Sequence, residues 1–235
     1  MKKTLLSLFA LAISSVAMAQ HPQQGTVSIV PRIGLSIANL SGDEIIVDGN
    51  YTLSSRYRTS FMGGVDLDYQ FLPDFSVTLG AYYAQQGCNY KNSFEEKHSG
   101  TTLVGGTGYS DMSTQLHYIN VPLTLNAYLA PGFALKAGVQ FGFAMSGKMK
   151  YVETIYTKDN EGEMKPSKPE DRENNLNSTM KKMCMSIPVG LSYEFADVII
   201  DARYNIGLTP FQEVGGYKGP KNRVFTLSAG YRFKL

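Results

Sequence analysis

Residues 118 to 129 read YINVPLTLNAYL, and apolar and polar side chains alternate along the whole stretch. The apolar set is Ile119, Val121, Leu123, Leu125, Ala127 and Leu129, and the other set is Tyr118, Asn120, Pro122, Thr124, Asn126 and Tyr128. A period of two residues places the two sets on opposite faces of a β-strand, whereas a helix would mix them. The stretch therefore predicts a strand with one apolar face and one polar face.

The same alternation recurs from Phe133 to Met145, from Phe225 to Leu235 and elsewhere along the chain. Eight strands are predicted, at residues 26–38, 58–71, 74–87, 114–129, 132–147, 182–195, 197–208 and 223–235. Each of them reaches the roughly 9–11 residues that a tilted strand needs to cross a bilayer. The pattern favours an all-β protein whose strands are long enough to span a membrane.

The predicted connections alternate between long and short. The long ones are residues 39–57, 88–113, 148–181 and 209–222, and the short ones are Leu72-Pro73, Ala130-Pro131-Gly132 and Ala196-Asp197. Outer-membrane barrels have short periplasmic turns and long outer loops. The order predicts an eight-stranded antiparallel up-and-down transmembrane β-barrel, OmpA/OmpX-like, in the outer membrane with both termini periplasmic.

The polar faces of the predicted strands combine many glycines with charged residues. These charges are Arg32, Asp66, Asp68, Lys136, Glu194, Asp201, Arg203, Arg232 and Lys234. Glycine weakens a strand on a solvent-facing surface, but it leaves space for other side chains in the narrow lumen of an eight-stranded barrel. We therefore expect the polar faces to point inward, with these nine charges forming a structural lumen network and the apolar faces meeting lipid.

Prolines and aromatic residues add two local expectations. Pro31, Pro122 and Pro188 lie within predicted strands, where proline removes a ladder hydrogen bond, so bulges or strand ends are expected beside them. Aromatic residues near the short turns predict an interfacial girdle, with an aromatic cluster of a soluble barrel as the alternative. The residues concerned are Tyr69, Phe71, Tyr128, Tyr193 and Phe195.

The N-terminal segment MKKTLLSLFALAISSVAMAQ has the pattern of a secretory signal peptide. Residues 1–19 are predicted to be the signal peptide and residues 20–235 the barrel domain; a membrane anchor helix is disfavoured because the apolar run is short. Without Lys2 and Lys3, the 22 basic residues fall to 20, which equals the 20 acidic ones. A balanced charge argues against general nucleic-acid binding.

The sequence contains no motif for catalysis, a cofactor or a metal. The three histidines, His21, His98 and His117, do not form HExxH, and no CxxC is present. A rim-active enzyme would have to use His98 and His117 with Ser99 or Asp111. GGTG at residues 105–108 is interpreted as a flexible outer loop, and whether Cys88 and Cys184 pair is left open.

The predicted loop 148–181 contains seven basic and seven acidic residues. One interpretation is an adhesive or partner-binding surface. The other is a solvated, mobile loop at the outer end of the barrel.

Several strings resemble PorT-type outer-membrane β-barrel proteins of the Bacteroidetes: YINVPLTLNAYL, GLSIANL followed by Ser41-Gly42, YYAQQG and the terminal AGYRFKL. The resemblance extends over essentially the whole mature chain. It implies the same barrel and the same membrane, and it carries no catalytic residues. Phe233 and Leu235 are similar to the terminal signal that barrel-assembly machinery recognises. The family takes its name from a member that is needed for protein secretion.

We therefore expect a non-enzymatic integral outer-membrane barrel with a structural, adhesion or secretion-accessory role that acts through long outer loops. The main alternative is a narrow pore or small-solute transporter. A lipid-modifying barrel enzyme and a secreted lipocalin-like barrel are less favoured alternatives. Expected partners are outer-membrane lipid and lipopolysaccharide, the barrel-assembly machinery during biogenesis, and surface or secretion-system proteins. No cofactor and no nucleic acid are expected.

Overall fold

The computed structural model describes residues 23–41, 45–47, 51–159, 161–214 and 216–235. The predicted signal peptide lies outside these residues and stays a prediction. Eight long strands form the wall: β1 (Val27–Ser41), β2 (Arg58–Leu72), β3 (Phe75–Tyr90), β4 (Thr102–Ala130), β5 (Phe133–Lys158), β6 (Met183–Phe195), β7 (Val198–Pro210) and β8 (Lys221–Tyr231, continued by Phe233–Lys234). In the described part of the chain, no helix has the length and apolarity to span a membrane.

Each strand pairs antiparallel with the next one in sequence, and β8 pairs with β1 to close the sheet. Leu35 of β1, for example, lies between Phe61 of β2 and Leu227 of β8. The predicted closed eight-stranded up-and-down barrel is confirmed. Closure leaves the wall without a free edge, so the backbone groups of each strand can bond within the sheet.

The two ends of the barrel differ in how far the strands extend beyond the wall. The short turns β2–β3, β4–β5 and β6–β7 lie at one end, called the short-turn end here, together with Val27 and Lys234. At the other end, called the extended end, β4 and β5 continue far beyond their neighbours and remain paired up to Gly105 and Thr157. The prediction that residues 88–113 and 148–181 are simple loops is therefore wrong.

Three short strands complete a sheet above the extended end. Ser93–Ser99 pairs with β4, whereas Met164–Pro166 and Glu170–Asn175 pair with β5. These strands, with residues 102–111 of β4 and 148–158 of β5, are called the extension sheet. Five further short strands lie elsewhere: Ser55–Arg56 pairs with β3, Ile45–Val47 pairs with Tyr51–Leu53, and Glu213–Val214 pairs with Tyr217–Lys218.

The wall places apolar side chains outside and polar ones inside. Leu123, Leu227 and Ile200 are 44–48% exposed on the outer surface, whereas Asp66 and Asp201 are at most 1% exposed in the interior. The outer surface carries apolar side chains on every strand and forms a belt around the barrel. A soluble protein rarely exposes a continuous apolar surface of this size, so the belt requires hydrocarbon around it.

The polarity reverses toward the extended end. There the interior is filled by an apolar cluster, called the plug, that consists of Leu40, Cys88, Tyr90, Met112, Leu116, Tyr118, Met180 and Phe211. On β4 the reversal occurs within two residues, because Tyr118 is buried inside while His117 faces outward beside Gln85 and Ser146. An apolar interior with a polar exterior is the arrangement expected in water, so this level marks the edge of the belt.

The three strand prolines interrupt the ladder without shifting its register. Pairing of β3 with β4 skips Gly80 opposite Pro122, and pairing of β5 with β6 skips Gly138 opposite Pro188, although the registers on either side agree. Beside Pro31, the pairing of β1 with β8 is likewise interrupted in register. The expectation of bulges is therefore wrong for these three prolines, whereas the expected strand end occurs opposite Pro31, where β8 is interrupted between Tyr231 and Phe233.

The aromatic residues near the short turns do not all face outward. Tyr69 and Phe195 are exposed on the outer surface, and Phe71 and Tyr193 are half-buried. Tyr128, in contrast, is 9% exposed and lies inside, where its hydroxyl is 3.5 Å from Arg232 Nη2. The prediction for Tyr128 is wrong because its position in the alternation, and not its aromatic character, decides its face.

Candidate functional site

The first layer of the lumen is an ionic network with three basic and two acidic side chains. Arg32 Nε lies 2.7 Å from Asp66 Oδ2, and Lys136 Nζ lies 2.7 Å from Asp201 Oδ2. Arg203 joins the two carboxylates, with Nε 2.6 Å from Asp201 Oδ1 and Nη2 3.4 Å from Asp66 Oδ2. All five residues are buried. Enclosed charges of this kind are tolerated only when they are paired.

The second layer is centred on Arg232. Its guanidinium binds Glu194 through two nitrogens, at 2.8 and 2.9 Å, and binds Asp68 Oδ1 at 2.8 Å. The other oxygen of Asp68 accepts hydrogen bonds from three polar side chains, Ser76, Thr78 and Asn126. This layer has two carboxylates against one cation, and the additional donors stabilise the charge of Asp68.

The two layers compensate each other. The first layer has three cations and two carboxylates and the second has one cation and two carboxylates, so the eight enclosed charges sum to zero. Asp66 and Asp68 are consecutive inward positions of β2, which makes the layers neighbours. Lys234, the ninth predicted residue, lies outside: its side chain is 52% exposed and Nζ is 3.0 Å from Asp197 Oδ1. Here β8 reaches the end of the barrel, and solvent replaces the lumen.

Glycines provide the space that the charged side chains occupy. A Cβ at Gly230 would lie 2.7 Å from Arg32 Cγ, and one at Gly80 would lie 2.6 Å from Asp66 Oδ1. Both distances are shorter than real Cβ contacts, so a larger residue would displace the network. The glycines on the polar faces are thus part of the ionic site.

Tyr82 is a member of the first layer that a search for charged residues misses. Its hydroxyl donates to Asp66 Oδ1, and the Arg203 guanidinium carbon lies 5.6 Å from the centroid of its ring. Position in the alternation is the signal that could have identified it, since Tyr82 shares the inward face of β3 with Gly80 and Ala84.

Above the first layer, the lumen contains two small cavities that share five lining residues, Gln86, Asn120, Gln140, Asn205 and Val224. Each has a volume of about 20 Å³ for the centre of a water-sized sphere, which is room for one water molecule. Among the described residues, the buried amide oxygens of Asn205 and Asn222 have no hydrogen-bond partner, and both residues line this space. The lumen is therefore occupied by the two ionic layers and the plug, and the only space described between them is water-sized.

The extension sheet carries an aromatic pair on a glycine floor. Phe94 and Tyr156 meet edge to face, with ring centroids 5.4 Å apart. Gly106 and Gly108 lie beneath them in β4, and a Cβ at Gly106 would collide with the ring of Phe94. The interpretation of GGTG as a flexible loop is wrong, because both strand neighbours pair with it.

Charged residues of the extension sheet form cross-strand ion pairs. Glu173 lies 3.2 Å from Lys148 and 3.4 Å from Lys150, and hydrogen bonding by Lys148 lowers the pKa of Glu173. Arg172 binds Glu153 of the neighbouring strand at 2.9 Å and Glu170 of its own strand at 2.8 Å. The charged stretch within residues 148–181 thus contributes paired strands and not only a solvated loop, although exposed pairs add little stability.

The structure does not bring the candidate catalytic residues together. His98 lies 3.6 Å from Glu96 and opposite Leu103, whereas His117 is 14 residues further along β4 and contacts the Tyr83 hydroxyl at 2.6 Å. At about 3.3 Å per residue this separation is roughly 45 Å. Ser99 lies beside His98, and Asp111 is six residues from His117.

Metal ligands and cysteines also remain dispersed. The described residues contain no group of three or more His, Cys, Asp or Glu side chains arranged for a metal ion, and His21 lies outside them. Cys88 and Cys184 are both free thiols. Cys88 is buried in the plug, and Cys184 Sγ is 3.8 Å from the Tyr118 hydroxyl.

Comparison with known proteins finds similar chains among solved structures and a matching family model. Among solved structures, the chain is similar to the attachment invasion locus protein Ail of Yersinia pestis (18% identity, 90% of this chain and 100% of that chain, TM-score 0.41). It is also similar to outer membrane protein W of Escherichia coli (13% identity, 90% of this chain and 100% of that chain, TM-score 0.36). A third similar structure is OprG of Pseudomonas aeruginosa (9% identity, 89% of this chain and 97% of that chain, TM-score 0.30). A search of curated proteins gives no match.

A family model described as "Outer membrane protein beta-barrel domain" matches residues 18–213, which is most of the chain. The match agrees with a closed wall that exposes apolar side chains and encloses charges. This protein therefore belongs to the outer membrane protein beta-barrel domain family and is an outer-membrane barrel.

Proposed function

We propose that this chain is a non-enzymatic outer-membrane barrel that presents its extension sheet to a partner protein or surface ligand, in an adhesion or secretion-accessory role. The observation that carries the proposal is the extension sheet itself. Strands β4 and β5 stay paired beyond the belt and recruit three further strands. Ordering this much chain outside the membrane costs conformational entropy. A purely structural anchor does not need such an ordered external sheet.

The surface of the extension sheet supports a binding role. Phe94 is 43% exposed and Ile155 is 53% exposed, although both lie beyond the belt. Exposed aromatic and aliphatic side chains on a rigid sheet resemble the anchors of protein interfaces. Within the described residues, Ser93–Ser99 pairs on one side only, so its other edge offers backbone groups for an added strand.

We further propose that the short-turn end and both termini face the periplasm and that the extension sheet lies outside the cell. Short periplasmic turns and long outer segments are the rule for bacterial barrels. The finer assignment to PorT-type proteins of the Bacteroidetes rests on the strings noted above, with export by the signal peptide. Phe233 and Leu235, 53% and 77% exposed, are accessible to the barrel-assembly machinery.

A filled lumen does not support the narrow-pore alternative, which leads to a prediction. The refolded protein is expected to give no discrete conductance steps in planar bilayers, because two ionic layers and the plug close the lumen. Porins, which have wider barrels, serve as the positive control. Reproducible single-channel steps that disappear on removal of the protein would show that the lumen opens.

The proposed function is tested by photo-crosslinking in living cells. A photoreactive residue replaces Phe94 in the extension sheet, and in the control it replaces Ile200 in the belt, which is 48% exposed. Discrete high-mass protein or polysaccharide adducts are expected from position 94 only. Adducts that are absent at position 94, or identical at both positions, would contradict a binding role for the sheet.

A shortened chain tests the outer part of the extension sheet. Phe94 lies opposite Gly108, and Glu153 lies opposite Glu170. Replacing residues 95–107 and 154–169 each by an Asn-Gly turn therefore closes two hairpins with their registers kept. This variant should fold, as judged by its heat-sensitive gel mobility, and should lose the adducts and any adhesion that the full chain confers.

A further inference from the structure

Two basic side chains lie on the outer surface of β8 directly beyond the belt. Phe225, Arg223 and Lys221 occupy consecutive outward positions, and all three are exposed. Between them, Val224 is buried and Asn222 lines the lumen. Arg223 and Lys221 are therefore fixed on the outside, at the level where apolar outer positions give way to polar ones.

Among the described residues, the ladder neighbours of this pair include no acidic side chain. In the ladder, Arg223 lies between Asn39 of β1 and Ile206 of β7, and Lys221 lies between Ser41 and Pro210. Neither basic residue has a carboxylate within ion-pair distance in the described part of the chain. Lys148, Lys150 and Lys181, which also lie at the extended end, each bind a glutamate.

The surface below the pair is apolar. Ile206 is 39% exposed and Phe225 is 38% exposed, and Leu227 continues the same outer face of β8 toward the middle of the belt. A headgroup with negative charge above and acyl chains below would therefore meet complementary chemistry at both levels. Basic residues at a membrane boundary attract anionic headgroups, and a guanidinium suits phosphate because its donors form a planar fork.

We propose that Arg223 and Lys221 form a binding site for the phosphate groups of outer-leaflet lipopolysaccharide, whose acyl chains lie against Ile206, Phe225 and Leu227. The occupant follows from the position of the pair at the edge of the belt in an outer-membrane barrel. The choice of leaflet rests on the orientation proposed above. The site itself is independent of the extension sheet and of any protein partner.

The test uses the full mature chain in detergent with defined lipids, so that its outcome does not depend on orientation in the cell. Native mass spectrometry counts the adducts with lipopolysaccharide, with the enzymatically dephosphorylated glycolipid and with phosphatidylglycerol. The variant carries Arg223→Gln and Lys221→Gln. The control carries Lys97→Gln and Lys158→Gln, which remove the same charge from exposed positions of the extension sheet.

Lipopolysaccharide is expected to bind the unaltered chain and the control equally, and the variant about tenfold or more weakly. Dephosphorylated glycolipid should bind all three proteins equally weakly. Equal loss in the variant and the control, or equal retention of phosphatidylglycerol and lipopolysaccharide, would overturn the proposal. Heat-sensitive gel mobility verifies that each protein is folded. A failed photo-crosslink at Phe94 leaves this result untouched, so the two proposals fail separately.

Discussion

Replacing Asp201 with asparagine is expected to lower the free energy of unfolding by about 3–5 kcal/mol. Asp201 is 1% exposed, and it is the carboxylate that Lys136 and Arg203 share. Without its charge, the first layer keeps three cations against Asp66 alone, in a space with little water. A buried cation that loses its partner keeps its desolvation cost, and this explains the size of the effect.

The matched control is Asp197→Asn, which removes the partner of Lys234 at the short-turn end. Because both of these side chains are well exposed, the cost should stay below about 1 kcal/mol. Unfolding in urea from lipid vesicles, followed by heat-sensitive gel mobility, measures both variants. Equal costs for the two aspartates would show that the lumen is as hydrated as the rim, and the account of the network would be wrong.

A second variant separates charge balance from the loss of one contact. Asp201→Leu combined with Lys136→Met removes one charge of each sign and keeps the net charge of the first layer. The double variant should recover part of the stability that Asp201→Leu loses alone, because the remaining charges are again compensated. A double variant that is less stable than the sum of both single changes would contradict charge balance as the organising feature.

The barrel could be predicted from sequence because the membrane imposes a strong contrast along each strand. Leu123 faces lipid and Thr124 faces the lumen, and this alternation persists for as long as the two sides of the wall differ. Tyr128 shows how specific the signal is. Its place in the polar set of β4 correctly predicts an inward side chain, whereas its aromatic character near a turn predicts the wrong face.

The extension sheet could not be predicted in the same way. Beyond the belt, water reaches both faces of the sheet, so alternation no longer separates apolar from polar residues. Glu170–Asn175 is exposed at every position and reads as a loop, yet it pairs with β5 over its whole length. Its partners on β5, such as Lys150 opposite Glu173, are distant in sequence, so the pairing leaves no local pattern.

Eight of the nine predicted charges lie in the lumen, but Lys234 does not, Tyr82 was missed, and the arrangement could not be predicted. Alternation assigns the charges to one face, but it does not tell which carboxylate meets which cation across the barrel. Arg203 and Asp66 are 137 residues apart and meet at 3.4 Å only because the sheet closes. Lys234 has the correct alternation but lies outside, since the last residues of β8 pass the end of the lumen.

Replacing Val139 with arginine is expected to destabilise the folded protein in a bilayer by about 2–4 kcal/mol, because the charge would lie near the middle of the belt. Val139 occupies the middle of the outward positions of β5 that run from Phe133 to Met145 and is 40% exposed. Ile155→Arg is the control on the same strand. Ile155 is also β-branched and apolar and is 53% exposed, but it lies in the extension sheet.

The control should change stability by less than about 0.5 kcal/mol, since a charge in water at an exposed position costs little. Unfolding in urea from vesicles measures both variants, and in detergent micelles the difference between them should shrink. Exposure to solvent is similar at the two positions, so burial within the protein cannot produce a large difference. A large difference can come only from the medium around each position. Equal effects at Val139 and Ile155 would contradict the account in which Val139 meets hydrocarbon and Ile155 meets water.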